Sequence, residues 1–435
     1  MAALPYRRLL GLISKRLYPY PNRRLFRSQR TISAQRPLRH LASQRRLNSS
    51  TSTPTKTAGA ASSSSTKLPA PATITDEDLI GHAKIDYSTI YKDRTGVTSG
   101  LWRLRVNLIK EEYDRENPPV RKPLISKAPW QSSIYILYDF VNNPGIINEY
   151  IRFDGGVRFG RILEDMDSLA GNVAEVHADN DDGYPLAFVT ASVDRIDLQR
   201  RFPLNRQLVM KGSPIYVGKS SLNIQISIFD KSDEDIVICT ANFIMVARDG
   251  ITGKSTEVNP LLLEDEVDQQ NFIRGRFDAQ LKKEERKKEL TTIKPSSEES
   301  GIIHDFWLDT TVRKRMNMDD KEKFVAISRT SFQNMIITMP QHLNRNRKIF
   351  GGYLMKIAYE LARATAYKFI GGLEDIYDEN ANHTAIINQH PQFVSSDEIS
   401  FKHPVSVGCI IRNEACVACT DSMNVLLEEK QTDFS

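Results

Sequence analysis

Residues 157–171 read VRFGRILEDMDSLAG, and residues 349–363 read IFGGYLMKIAYELAR. Each stretch places glycine just before a run in which apolar residues recur every three or four positions. Over 160–177 the stripe is Ile162, Met166, Leu169, Val173 and Val176, widened by Leu163 and Ala170. This is the period of an amphipathic helix with one face on a core. Glu164 and Glu175 fall opposite the stripe, which predicts solvent around them. A second helix is predicted over 352–370, after Gly351-Gly352. Each helix is followed by an Asp-x-Ile strand, Asp194-Arg-Ile196 and Asp397-Glu-Ile399. Gly160 to Ile196 spans 36 residues and Gly352 to Ile399 spans 47, and a polar insert at 371–382 accounts for the difference. A unit of strand, helix and antiparallel sheet, repeated once, is the expectation.

The flanking residues supply the sheets. Residues 134–140, rich in aromatic and β-branched side chains, read as a strand ahead of the first helix. Val189, Ala191 and Val193 alternate with polar residues. Leu222, Ile224, Ile226 and Ile228 do so more regularly, and 236–247 returns after a polar turn. Residues 324–339, 384–387 and 399–401 give the later strand signals, and a short helix is read over 101–114. In 281–290, eight of ten residues are charged with both signs mixed, the composition of a solvated linker helix.

The charge is unevenly distributed. The 435 residues carry 59 Lys and Arg and 54 Asp and Glu. Residues 1–75 hold fourteen of the basic side chains and no acid, so 76–435 hold 45 basic and 54 acidic groups, a balance of −9. An Arg- and Ser-rich, acid-free beginning is the composition of a mitochondrial transit peptide, and a basic tail for RNA or anionic lipid is the plainer alternative. An acidic remainder does not suggest nucleic acid as partner. No apolar run is long enough to span a membrane, so stable membrane insertion is not expected. Four cysteines exclude a disulfide scaffold. Cys409, Cys416 and Cys419 lack the paired spacing of a zinc site and read better as strand residues. Residues 179–183 read as a turn rather than a calcium loop.

In this order, VRFGRILEDMDSLAG (157–171), VTASVDRIDL (189–198), YVGKSSLNIQISIF (216–229), NFIMVARD (242–249), VNPLLLED (258–265), IFGGYLMKIAYELA (349–362) and ISFKHPVSVG (399–408) resemble the double-hotdog acyl-CoA thioesterases, in particular their mitochondrial branch. The resemblance implies an α+β fold of two hotdog domains, each an antiparallel sheet wrapped around a central helix. The expected division is 1–75 transit peptide and Ser/Thr-rich segment, 76–130 N-terminal extension, 131–260 first hotdog domain, 261–300 charged helical linker, and 301–435 second hotdog domain. The 36 residues after Ile399, against 51 from Ile196 to Ala247, make the second sheet short of its closing strands, as if truncated. The resemblance also implies hydrolysis of acyl-CoA in the mitochondrial matrix, no metal or other cofactor, and a homo-oligomer of double-hotdog units.

Asp167 lies at the edge of the apolar stripe. A carboxylate at such a seam is partly desolvated, which raises its proton affinity towards that of a general base; an ordinary boundary aspartate is the plainer reading. The resemblance favours catalysis, because the family's catalytic Asp falls in this Met-Asp position. Residues 344–352, NRNRKIFGG, resemble the family's N-x-N-G-x-I-F-G-G, with Arg347 in place of a glycine. The functional Asn then matches Asn344, with Asn346 as fallback. An amide can hold a water and polarise a carbonyl, or simply make a turn. Gly351 and Gly352 open a helix whose free N–H groups suit an oxyanion, or allow close packing. Glu360 is a spare carboxylate. By resemblance, Lys219, Ser220 and Ser221 lie along the CoA groove. Counting from Gly160 and Gly352, the halves are complementary: Asp167 matches Tyr359, and Asn344 matches Arg152, so one composite site is live and the other dead. The alternatives are a CoA-binding protein without activity and a hotdog enoyl-CoA hydratase or dehydratase, for which His177 is the nearest histidine.

Overall fold

The computed structural model describes residues 94–108, 119–287, 294–315, 325–344, 347–370, 390–421 and 424–433. They lie within one compact unit, Ala72–Ser435. The 1–75 segment, the 371–382 insert, the strand read at 384–387 and Asn346 fall outside them.

In chain order the elements are α1 (Gly96–Leu108), β1 (Ile134–Asp139), α2 (Pro144–Tyr150), α3 (Phe159–Ala178) and the strands β2 (Leu186–Leu198), β3 (Gln207–Val217), β4 (Ser221–Asp230) and β5 (Asp233–Asp249). They continue as α4 (Glu266–Lys287), α5 (Ser297–Arg315), α6 (Ile327–Thr330), β6 (Phe332–Ile337), α7 (Gly351–Ile370), β7 (Ser395–Ser396), β8 (Ile399–Ser400), β9 (Ile410–Asp421) and β10 (Asn424–Asp433).

The first half is an antiparallel sheet ordered β1-β3-β4-β5-β2 around α3. Ile162, Met166, Leu169 and Val173 of the stripe are fully buried, as are Leu222, Ile224, Ile226 and Ile228 of β4. Each such side chain contributes roughly 1.5–3 kcal/mol of hydrophobic stabilisation. Gly212 of β3 allows a close approach of helix and sheet, since a Cβ there would lie 3.0 Å from Val173 and 3.1 Å from Leu169.

In the second half β6, β9 and β10 form a three-stranded sheet on α7, whereas β7 and β8 join the outer edge of β2. Among the described residues nothing corresponds to β5 between them. Val193 pairs with Ile399 and Ile196 with Ser396. The two Asp-x-Ile segments thus meet edge to edge, antiparallel, as a two-fold relation requires. The helices repeat the relation. A Cβ on Gly160 would touch Lys356, 3.2 Å from its Cγ, and one on Gly352 would touch Glu164, 2.9 Å from its Cα. Each glycine lets its helix approach the residue four positions into the other.

This crossing corrects the expectation for Glu164. The face opposite the stripe is covered by α7, not solvent. Glu164 is buried, and its carboxylate accepts from Lys356 Nζ at 3.2 Å and Arg161 Nη1 at 3.3 Å; Glu175 is half-buried. The solvated-linker reading needs correction too, because α4 docks. Phe272 meets Tyr216 at a tilt, ring centroids 5.1 Å apart, Gly275 admits the Tyr216 side chain, and Lys282 pairs with Asp194 and, at 3.6 Å, with Glu398.

Candidate active site between the two helices

Asp167 is buried on α3, and among the described residues two other elements supply hydrogen bonds to it. Its Oδ2 accepts from the backbone N–H of Gly352 at 2.7 Å, and its Oδ1 from Thr190 Oγ1 on β2 at 2.7 Å. The carboxylate is therefore held against the N-terminus of α7, where unpaired amides and the helix dipole favour negative charge. A Cβ on Gly351 would come within 3.0 Å of Asp167 Oδ2, so the double glycine is what allows the carboxylate this close. In this state the Gly352 N–H is used by Asp167.

Thr190 escaped the sequence reading. The alternation over 189–193 pointed Val189, Ala191 and Val193 at the core, but a register shift between Thr190 and Ser192 breaks it, and Phe188, Ser192 and Val193 are the buried ones. A bulge of this kind re-aims a side chain beside a site. A polar residue on the strand across from an inward-facing acid was the only available signal.

Asn344 lies in the segment leading into α7. Its side-chain oxygen accepts from Lys348 N at 3.1 Å, and its carbonyl from Arg347 N at 3.1 Å. Arg347 sits at φ 54°, the left-handed region. A glycine there would be unstrained. The conformation costs an L-residue roughly 1–2 kcal/mol, while glycine's extra unfolded freedom returns roughly 0.5–1. Arg347→Gly is therefore expected to stabilise the protein by about 0.5–1 kcal/mol, read as a higher urea midpoint at unchanged slope. A midpoint at or below the parent's would show that Arg347 contacts outweigh the strain.

The remaining candidates are separated from Asp167. Glu360 is at the surface, paired with Arg158 at 2.6 Å, and does not join the carboxylate. Lys219 is exposed at the β3–β4 turn, with Glu257 3.1 Å away. The turn belongs to the same end of the sheet: Thr190 pairs with Met245 and Met245 with Leu222, two strand spacings or about 10 Å across. His177 lies ten residues beyond Asp167 and has a structural role. It is fully buried between Ser132 Oγ and the Asn259 carbonyl, both at 2.9 Å, and burial lowers it to about 4, so it stays neutral.

The symmetry-related position is built differently. Arg152 grips Asp154 at 2.6 Å, and Arg363 and Tyr367 join the same carboxylate at 3.2 and 3.1 Å. Burial acts to raise Asp154, but hydrogen bonds from Arg152 and Gly156 and the Arg152 charge outweigh it and hold the carboxyl well below its usual range. Burial raises the Tyr359 hydroxyl. The 203-residue offset between Ile196 and Ile399 carries Thr190 onto Phe393, which stacks on Phe159 at 4.7 Å. The counterparts of Asp167, Thr190 and Asn344 are thus Tyr359, Phe393 and Arg152. Among the described residues no group of three or more His, Cys, Asp or Glu could hold a metal, and no helix is long and apolar enough to cross a membrane.

A buried carboxylate from one repeat is held on a helix start of the other. The chain belongs to the acyl-CoA thioesterase family. It is 32% identical over 345 residues to acyl-coenzyme A thioesterase 2, chloroplastic, of Humulus lupulus, covering 75% of this chain and 73% of the relative. It is 31% identical over 323 residues to acyl-coenzyme A thioesterase 9, mitochondrial, of Mus musculus, covering 72% and 70%. An acyl-CoA hydrolase from Staphylococcus aureus, solved with butyryl coenzyme A, coenzyme A and coenzyme A disulfide, aligns over 37% of this chain and 90% of its own, with TM-score 0.32 and 21% identity. No protein-family model matches the chain.

Proposed function

We propose that the protein hydrolyses acyl-CoA to a fatty acid and CoA in the mitochondrial matrix, at one composite site between two hotdog units, 131–260 and 301–435, joined by the 261–300 linker. Residues 1–75 are the transit peptide and 76–130 an extension of the first unit. The observation that carries this reading is the contact of Asp167 with Gly352 N–H across the repeats, at 2.7 Å. Asp167 activates a water or attacks the thioester carbonyl itself. The side-chain oxygen of Asn344 is used on Lys348, so its chemistry towards substrate is that of a donor, suited to the carbonyl as it becomes an oxyanion. The first turn of α7 adds its field. Lys219, Ser220 and Ser221 line the path of the CoA phosphates; the exposed Lys219–Glu257 pair is worth little and yields readily to a phosphate. The functional assembly is a homo-oligomer of double units.

The test is release of free thiol from short-, medium- and long-chain acyl-CoAs by the purified protein. Turnover with any of them supports the reading. No release from any would end it, and tight CoA binding without release would make the protein a CoA-binding module instead.

A further inference from the structure

We infer that residues 94–102 brace the two halves of the candidate site, and that Arg94 is a positioning residue for the segment carrying Asn344; the catalytic part of this inference rests on the hydrolytic reading above. Arg94 Nη2 donates to the carbonyl of Gln341 at 2.8 Å and of Leu343 at 2.6 Å, the latter immediately before Asn344. Its guanidinium lies over the Trp102 ring, 3.6 Å from the centroid. Trp102 meets Phe350, the residue before Gly351, edge-on at 5.4 Å and 86°. One short segment thus grips the Asn344 segment near both of its ends.

The same segment grips α3 on both sides of Asp167. Trp102 Nε1 donates to Ser168 Oγ at 2.7 Å, one residue after Asp167. Thr95 and Thr98 donate to Asp165, two residues before it, the second at 2.8 Å. Asn172 Nδ2 donates to the Leu101 carbonyl at 2.9 Å. The Asp165 carboxylate is fully buried and also accepts from Tyr138 at 2.9 Å and Tyr150 at 2.6 Å, so this anchor is built into the core. Asp167 and Asn344 stand 177 positions apart in sequence, and the brace is bonded to the chain around each. The chemistry calls for arginine: a planar fork can reach two carbonyls while its face stacks on an indole, whereas a lysine is a point charge.

The experiment compares Arg94→Ala, Arg94→Lys and Thr98→Val in the full chain. Arg94→Ala is expected to lower kcat about tenfold with KM within about twofold, since a misplaced group costs the transition state more than binding. Amides of 341–350 should exchange with deuterium faster, and those of β3 and β4 should not change. Arg94→Lys should recover part of kcat, and added guanidinium should partly rescue Arg94→Ala. Thr98→Val, which removes one hydrogen bond to Asp165 on α3, should lower the thermal midpoint and leave exchange over 341–350 at the parent's rate. Parental kcat and parental exchange over 341–350 in Arg94→Ala would overturn the inference. So would kcat losses that merely follow the folded fraction in all three variants. If the parent itself releases no thiol, the hydrolytic reading fails, and the exchange measurement alone then decides whether the brace exists.

Discussion

Asp167→Asn is expected to fold as the parent does and to hydrolyse acyl-CoA about 10² to 10⁴ times more slowly, the usual loss on removing a general base or acid. The amide is nearly isosteric. Its oxygen can keep the Gly352 N–H, and its NH2 can donate to the Thr190 hydroxyl, so these two bonds have replacements. What is lost is the negative charge and the ability to take a proton. Asn344→Ala should lower kcat less, because it removes a donor and leaves the base. The double variant should be scarcely slower than Asp167→Asn alone, as groups acting on one reacting centre are non-additive. Tyr359→Phe should leave the rate near the parent's, since its neighbourhood has Phe393 and Arg152 where the proposed site has Thr190 and Asn344. Single-turnover rates for these variants decide the matter. A Tyr359→Phe protein as slow as Asp167→Asn would mean that the reaction belongs to the other pair.

What the sequence made legible follows the distance over which each signal acts. The stripe from Ile162 to Val173 and the alternation from Leu222 to Ile228 report on the nearest packing layer, and these residues form the buried core. Asp167 could be singled out by its place at the edge of that stripe. Its setting could not, because the Gly352 amide is 185 residues away and Thr190 is aimed by a bulge. Glu164 was misread for the same reason: a helical wheel shows which face is polar, not that a second helix will cover it. The docking of α4 was hidden because composition registers its charges and not the contact of Phe272 with Tyr216. Arg347 shows the reverse. It stands where the resembling motif has glycine and lies at φ 54°, so the resemblance located a backbone conformation that the side-chain pattern does not encode.

The same crossing of α3 and α7 carries the largest expected effect on stability. Glu164 is buried with two cations on it, Lys356 from the other repeat and Arg161 from its own helix. Burial already pushes the Lys356 ammonium below its usual value, and the Glu164 charge opposes that shift. Glu164→Ala removes the buried carboxylate that Lys356 and Arg161 share, and breaking a buried pair in this way costs roughly 3–5 kcal/mol. Lys356→Ala should cost less, because Arg161 still neutralises the acid. The double variant should be less destabilised than the sum of the two, since the cost of leaving Lys356 without the acid then disappears. Urea unfolding at unchanged slope measures all three. The asymmetry has a structural reason. A two-fold axis brings the same helix position of each repeat together, so a repeat paired with its own copy would set Glu164 against Glu164, or Lys356 against Lys356. Divergence to opposite signs makes the two halves prefer each other. Glu164→Lys should then be the most damaging single change, and adding Lys356→Glu to it should restore part of the loss. A Glu164→Ala protein within about 1 kcal/mol of the parent would show that water reaches this pair and that the crossing is held by its glycines alone.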